Sequence, residues 1–321
     1  MKKVICKIIC FFIPSRLIRQ KVKEYFGVRV PVIIREYYGS RKIYADNEAQ
    51  QKVLEVLNSG KPCLIGRFGG TEYSAFEQWL EIENGIREEY SPKIQKNIAL
   101  QSGFFPAQKE YINRFGRELK TIVSNADIMA MWFIRNEENI MDIYCPDAQL
   151  IRLDSFSPIT YSEPWSQYLK GKKVLVIHPF EASIKQQYTK REHLFNNSKI
   201  LPEFELKTIK AVQSIADAKD DLPFNDWFEA LDYMKRQIDK VDFDVAIVGA
   251  GAYGIFLADY CKRIGKQAIH LAGATQMLFG IAGRRWQEDN RHQGLINSYW
   301  CTPMESEKPK GADKVEGGCY W

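Results

Sequence analysis

The chain has 321 residues, which is long enough for one large α/β domain or two modest ones. Its apolar fraction of 45% and charged fraction of 26% are ordinary for a globular protein, so a sizeable core can form. Seven scattered cysteines without a C-x-x-C pair argue against a disulfide framework or a zinc site and indicate a reducing compartment. The formal net charge is +5, but it is concentrated at the N-terminus, so the body shows no basic groove for nucleic acid.

The N-terminal segment is both apolar and basic. Residues 4–13 are apolar except Lys7, and this run is much shorter than the roughly 20 residues of a spanning helix. Ile18, Val22 and Phe26 then recur at helical spacing among basic residues. This pattern predicts an amphipathic helix on an anionic membrane surface, at the cytoplasmic face of the cell membrane. The alternative is a helix that packs on the body and exposes a basic face.

The body alternates short apolar runs with amphipathic helices, which predicts a Rossmann-like α/β fold with a mostly parallel sheet and helices on both faces. Strands are predicted near residues 63–65, 128–133, 150–153, 173–177, 206–212, 243–248 and 267–271. Helices are predicted at 46–57, with Asp46 as cap, and at 180–195, 225–241 and 255–264. Two further helices are predicted from apolar stripes, one formed by Tyr73, Phe76 and Leu80 and the other running from Ala107 to Ile122. The chain thus divides into a basic arm (1–44), an α/β domain (45–302) and a polar tail (303–321).

In a parallel α/β sheet, ligands bind beyond the carboxyl ends of the strands, and two early strand ends carry suggestive residues. The first is followed by Arg67, Gly69, Gly70 and Glu72, where a cation, bare backbone and a carboxylate come together. Arg67 can be a phosphate clamp or a salt-bridge partner, and Glu72 a functional carboxylate or a helix cap. The second is followed by His178 and then by donors that include Arg191, which suits diphosphate or sugar recognition. The alternative is a core histidine with an ordinary solvated helix behind it.

A glycine-rich loop follows a later strand, with Gly249, Gly251 and Gly254 in a G-x-G-x-x-G spacing before a helix. Bare backbone and helix N-terminal amides can receive phosphate there. The carboxylate that a dinucleotide site needs about 20 residues on is missing, which disfavours NAD and leaves a mononucleotide or nucleotide-sugar phosphate. Thr275 and Gln276 come next as candidates for the base or ribose, with a helix cap as the alternative, and Arg284 follows downstream as a further candidate cation.

The arginine–glycine loop with its Glu72, together with the late strand–GAGAYG–helix–QAIHLAG unit, resembles the GT-D fold of glycosyltransferases. The stretch from Glu163-Pro164-Trp165 to Arg284-Arg285-Trp286 is similar to proteins of bacterial surface and capsular polysaccharide clusters. The resemblance covers roughly residues 45–300. It implies that this domain transfers a sugar from a nucleotide-sugar, typically UDP-linked, onto a growing glycan. The predicted membrane-surface arm fits an acceptor that is carried on a lipid.

The GT-D pattern also implies an Asp-x-Glu motif tied to Mn²⁺ or Mg²⁺ and to the nucleotide-sugar. Glu72 matches its Glu, whereas Gly70 stands where the Asp belongs. This departure puts the metal in doubt and assigns the diphosphate to cations such as Arg67, Arg191 or Arg284. Two other functions remain open: another transferase or nucleotide-sugar-modifying enzyme of the pathway, and a non-catalytic nucleotide-binding scaffold subunit.

Overall fold

The computed structural model describes residues 36–288 and 294–321, so the basic segment up to residue 35 lies outside the described residues. The described part contains one mostly parallel sheet. Its strands are β1 (Tyr37–Tyr38), β2 (Arg41–Tyr44), β3 (Cys63–Arg67), β4 (Ile128–Met131), β5 (Gln149–Arg152), β6 (Lys173–His178), β7 (Glu205–Lys210), β8 (Val245–Val248) and β9 (Gln267–His270). Their order is β1-β2-β5-β4-β3-β9-β8-β6-β7, and only the β1–β2 pairing is antiparallel. The predicted mostly parallel α/β sheet is confirmed.

The helices connect the parallel strands. They are α1 (Asp46–Asn58), α2 (Gly70–Glu83), α3 (Pro92–Gln101), α4 (Lys109–Ser124), α5 (Glu137–Tyr144), α6 (Glu181–Tyr188), α7 (Arg191–Leu194), α8 (Trp227–Ile238), α9 (Gly254–Arg263), α10 (Ala274–Leu278) and α11 (Arg284–Gln287). Within residues 36–288 and 294–321, no helix has the length and apolar character needed to cross a membrane.

Each face of the sheet is buried under its own hydrophobic core, because successive side chains of a strand point to opposite faces. Along β3, Leu64 joins one core, while Cys63 and Ile65 join the other. We call the first side face A, which α2, α4, α8 and α9 cover, and the second side face B, which α1, α6 and α10 cover. Helices on both faces, as predicted, leave the carboxyl edge of the sheet as the place where a ligand can reach the strand ends.

The chain leaves neighbouring strands toward opposite faces at two places. After β3 it passes to α2 on face A, whereas after the adjacent β9 it passes to α10 on face B. Likewise, β8 leads to α9 on face A, and its neighbour β6 leads to α6 on face B. Such divergence opens a crevice between the strand ends, which is where α/β sheets bind their ligands. The topology therefore places a cleft beside Arg67 and a second beside His178.

Several elements differ from the sequence-based expectation. Residues 37–44, assigned above to the arm, form β1 and β2, and β2 pairs with β5. Asp46 does not cap α1 through its side chain; Ala45 holds the cap position, and Asp46 has a φ of 50°. The helix expected over 180–195 is two helices, α6 and α7. Thr189 lies at the break between them, and its hydroxyl donates to a backbone carbonyl of the preceding turn.

Candidate active site

A cavity of about 490 Å³ lies at the carboxyl edge of the sheet, within the range of roughly 300–1,000 Å³ typical of ligand sites. Residues at or just after the ends of seven parallel strands line it: Arg67, Trp132, Leu153, His178, Val212, Gly249 and His270. The cavity extends over both crevices described above. It is therefore the candidate active site.

Arg67, the last residue of β3, provides a half-buried cation at the centre of this edge. Its Nε donates to the carbonyl of Phe68 at 2.9 Å, and its guanidinium carbon lies 4.5 Å from the centre of the Trp132 ring. Desolvation lowers its pKa to about 10, an effect that Glu72 partly offsets, so it stays charged at neutral pH. Within the described residues no carboxylate forms an ion pair with it. Its terminal nitrogens can therefore donate to an anionic ligand.

The guanidinium is held by a small cradle. The Phe68 carbonyl accepts a second hydrogen bond, from Trp132 Nε1 at 2.7 Å, so the indole and the arginine share one anchor. Behind the indole, the buried carboxylate of Glu137 accepts from the backbone N–H groups of Trp132 at 3.2 Å and of Ile134 at 3.3 Å. These contacts fix the turn after β4, and this turn places Trp132 against Arg67.

Glu137 keeps this turn in an unusual backbone conformation. Phe133 has a φ of 59° and Asn136 a φ of 62°, values that cost energy for residues other than glycine. Burial raises the pKa of Glu137 to about 7, although its backbone hydrogen bonds and Arg67 favour the charged form. The buried carboxylate thus titrates near neutrality while it stabilises the turn.

Glu72, in the first turn of α2, points back toward the loop that precedes the helix. A β-carbon at Gly69 would lie 1.9 Å from Glu72 Oε2, so the carboxylate occupies the space that only glycine leaves free. The N-cap position of α2 receives no side-chain hydrogen bond, and the carboxylate has no hydrogen-bond partner in the described part of the chain. The hydrogen-bonded helix cap considered above is therefore not observed. Glu72 lines the cavity and raises the pKa of Arg67, so the two charges are close.

Two buried histidines lie at the ends of β6 and β9. His178 Nδ1 accepts from the Phe180 backbone N–H at 2.9 Å, which assigns its proton to Nε2. His270 Nδ1 lies 3.3 Å from the Val248 carbonyl, an arrangement that suits a proton on Nδ1. Burial lowers the pKa of each to about 3, and Arg67 adds to the effect at His270. Both are neutral at physiological pH, so His178 offers a neutral ring rather than a positive charge.

The three glycines of the GAGAYG loop are needed for different structural reasons. A β-carbon at Gly249 would lie 2.5 Å from the His178 ring, and one at Gly254 would lie 2.1 Å from the His270 ring. Packing inside the chain thus requires these two glycines. Gly251 differs, because its φ is 53° and no atom lies within 4 Å of a β-carbon placed there. Gly251 is therefore the loop position with open space on the cavity side.

The C-terminal segment, residues 311–321, closes one side of the cavity. Val315, Glu316, Tyr320 and Trp321 all line it. A β-carbon at Gly283 would lie 2.3 Å from the Tyr320 carbonyl, so the segment packs directly on the turn before α11. The polar tail of the sequence therefore contributes a wall of the site.

Arg285 and Glu307 anchor this region. Arg285 donates to Tyr320 Oη at 2.9 Å and to Glu316 Oε2 at 3.1 Å. Glu307 is buried at the N-terminus of α6, where it accepts from the Ala182 backbone N–H at 2.7 Å and from Ser183. The helix dipole favours a carboxylate at this position. These contacts attach the C-terminal region to α11 and to α6.

The structure brings most of the sequence-predicted site residues together and leaves four outside the cavity lining. Those that line it are Arg67, Gly69, Gly70, Glu72, His178, Gly249, Gly251 and Gln276. Those that do not are Arg191, Gly254, Thr275 and Arg284.

Two of the outlying side chains, Arg191 and Arg284, have other partners, and the third, Thr275, is buried. Arg191 pairs with Glu192 at 3.0 Å and with Glu203 at 3.6 Å, away from the other candidates. Arg284 donates to a backbone carbonyl of the C-terminal segment. Thr275 is fully buried, and its Oγ1 would lie 2.7 Å from a β-carbon at Gly249. The diphosphate contacts predicted for Arg191 and Arg284 are therefore not supported by their positions.

Sequence reasoning missed several residues that line the cavity. Trp132 and His270 lie at or next to strand ends, and the rule that selected Arg67 would have found them. Tyr320 and Trp321 reach the cavity only through long-range packing, for which the sequence carries no local signal. The cavity is thus more aromatic than the sequence motifs indicated.

The residues present do not fit a divalent metal held by protein ligands alone. In residues 36–288 and 294–321, no three His, Cys, Asp or Glu side chains lie close enough to share an ion. Gly70 leaves Glu72 as the one carboxylate of the motif at this strand end.

No family model and no curated protein matches the chain. Among solved structures, it is similar to a selenomethionine-substituted structure of domain of unknown function 1792, with 11% identity and a TM-score of 0.42 over 74% of this chain and 80% of that one. A second structure, described as the highly conserved domain of unknown function 1792 with a distinct glycosyltransferase fold, shows 13% identity and a TM-score of 0.41 over 73% and 79%. Similarity this distant gives no information about the reaction, so any inference about the reaction must rest on the residues of the cavity.

Proposed function

We propose that this chain is a glycosyltransferase that moves a sugar from a nucleotide-sugar, UDP-linked, to a growing bacterial surface polysaccharide or other glycan. One observation carries the proposal: within the described residues, an arginine without a carboxylate ion pair and a carboxylate without a hydrogen bond share one cavity at the carboxyl edge of the sheet. Glycosyl transfer from a nucleoside diphosphate needs a cation for the leaving group and a carboxylate for the acceptor hydroxyl.

Arg67 is the residue we assign to the diphosphate. It remains charged at neutral pH, and its cradle fixes the guanidinium, so little order is lost when an anion binds. The open side of the loop at Gly251 and the N-terminus of α9 add backbone N–H groups on the same edge. His178 lies alongside as a neutral hydrogen-bond donor through Nε2.

Glu72 is the residue we assign to the acceptor. During transfer, the bond between the anomeric carbon and the diphosphate oxygen breaks, and the acceptor oxygen forms a new bond to that carbon. The acceptor proton moves to the Glu72 carboxylate, and the electron pair of the broken bond leaves with the diphosphate, where Arg67 stabilises the added charge. Arg67 and Glu72 interact electrostatically, so the cation for the leaving group and the carboxylate for the acceptor share one part of the cavity.

The cellular setting is also a proposal. The N-terminal segment would hold the protein at the inner face of the cell membrane, where a lipid can carry the glycan acceptor. Nucleic acid is not an expected partner, because the positive charge is concentrated in residues 1–29. Residues 1–35 lie outside the described residues, so this part rests on the sequence pattern alone.

A screen of nucleotide-sugars with mass spectrometric detection of the released nucleoside diphosphate tests the function. We expect turnover by the wild-type protein and its loss in Glu72→Gln, with the melting temperature unchanged. Glu83→Gln, the same change at the exposed other end of α2, is the matched control and should keep full activity. Nucleotide binding without turnover of any donor would instead assign the scaffold function. Transfer of a methyl or pyruvyl group would assign another transferase.

A further inference from the structure

The residues that line the cavity fall into two groups according to the face of the sheet on which they lie, and we call the two parts of the cavity beside them its face A lobe and its face B lobe. The lobe over face A lies beside Tyr253, a member of the face A core, and apart from Glu72 of α2 its polar residues carry no charge. Ser214 marks its floor, since its Oγ donates to the Gly103 carbonyl and lies 2.9 Å from Tyr253 Oη. The uncharged polar side chains of this lobe are Thr71, Gln101, Ser102, Gln213 and Ser214.

The lobe over face B is aromatic. Phe156, Phe180 and Trp286 belong to the face B core, and Tyr320 and Trp321 of the C-terminal segment pack against that core. Arg67 lies between the two lobes, because it interacts electrostatically with Glu72 on one side and with Tyr320 on the other. An anion on Arg67 would therefore have a polar compartment on one side and an aromatic compartment on the other.

Two polar atoms of residues that line the face B lobe are buried and have no hydrogen-bond partner within residues 36–288 and 294–321. They are Nε1 of Trp321 and Oγ of Ser157, and both residues line the cavity. Buried polar atoms without partners cost free energy, so a ligand in this lobe toward which the two side chains turn can supply the missing bonds. Among the described residues, no aromatic ring stacks on Trp321; Phe180 and Tyr320 meet it at interplanar angles of 73° and 74°.

We infer that the face B lobe binds the base of the nucleotide donor and that the face A lobe receives the sugar to be transferred. This inference rests on the proposed function. A nucleobase offers a planar face for Trp321 and carbonyl or ring-nitrogen groups for Trp321 Nε1 and Ser157 Oγ. A sugar offers hydroxyl groups, which match the uncharged amide and hydroxyl side chains of the other lobe. The orientation places the anomeric carbon on the Glu72 side of Arg67.

Calorimetric titration of the full chain with UDP, GDP and inorganic pyrophosphate tests the base subsite. In Trp321→Phe, we expect the Kd for the nucleoside diphosphate to rise about tenfold, the effect of one lost hydrogen bond and a smaller stacking surface. Pyrophosphate lacks a base, so its Kd should not change. Trp79→Phe is the matched control, because Trp79 Nε1 is also buried without a partner but lies outside the cavity. It should leave every Kd unchanged.

Two further variants keep the test decisive if Trp321→Phe disturbs the C-terminal segment. Ser157→Ala should weaken nucleoside diphosphate binding but not pyrophosphate binding. Gln101→Ala should weaken binding of the nucleotide-sugar that the wild type turns over more than it weakens binding of the corresponding nucleoside diphosphate alone. If the wild type binds UDP or GDP and both face B variants bind it equally well, the inference is overturned while the proposed function stands. If neither UDP nor GDP binds to the wild type, the proposed function itself fails.

Discussion

Glu137 should make the stability of the protein depend on pH in a way that one substitution removes. Burial raises the pKa of its carboxyl from the usual 4.5 to about 7 in the folded protein. The folded state therefore keeps a proton that the unfolded chain releases between these two pH values. The contribution of Glu137 to stability is fully present below pH 4.5 and is lost as the pH rises through 7.

The size of the effect follows from the shift. At about 1.4 kcal/mol per pKa unit, the difference between 4.5 and about 7 corresponds to about 3 kcal/mol of unfolding free energy. Glutamine does not titrate, so Glu137→Gln lacks this dependence. The variant also presents an amide to backbone donors at Trp132 and Ile134, which makes it less stable than the wild type at low pH. The gap between the two proteins should narrow by about 3 kcal/mol as the pH rises.

Urea titrations of both proteins at pH values from 4.5 to 8 measure this gap directly. The difference in unfolding free energy between wild type and variant cancels the titration of all other groups, provided that the two m-values agree. A difference that stays constant across the range would refute the reasoning. It would mean that Glu137 ionises in the folded protein as it does in water, despite its burial.

Three other regions give further predictions. Gly254→Ala should lower the unfolding free energy by about 1–3 kcal/mol, since its methyl would lie 2.1 Å from the His270 ring; an unchanged urea midpoint would contradict this. Glu307→Gln should weaken the anchor at Ser183 and speed limited proteolysis near the C-terminal segment, and an unaltered cleavage rate would argue against the anchor. Deleting residues 1–26 should abolish salt-sensitive binding to anionic liposomes, and equal binding without them would disprove the membrane arm.

The alternation of apolar runs and helical stripes was enough to predict the parallel sheet, because each β-α unit carries its own local signal. Arg67 and His178 were predictable for a related reason, since the ends of predicted strands meet at one edge of such a sheet. The helix α3 was missed, although Ser91 and Pro92 form a recognisable start: the serine side chain accepts from the Ile94 N–H, and proline occupies the first turn.

Other features had no local signal. Tyr320 and Trp321 are far in sequence from β3, and only the folded chain shows that they face the same cavity as Arg67. The glycine loop was misread in part, because Gly249 and Gly254 are needed for packing against histidines of other strands. Such contacts depend on how elements pack, which a single sequence does not specify.

A crystal structure with a bound nucleotide-sugar tests most directly whether Arg67 receives the diphosphate of a sugar donor. We predict diphosphate oxygens within hydrogen-bond distance of the Arg67 guanidinium, the base against Trp321, and the sugar on the side of Glu72. A well-ordered nucleotide-sugar whose diphosphate lies out of reach of Arg67, for example in a separate cavity of the molecule that Asn197 helps to line, would contradict the proposed site.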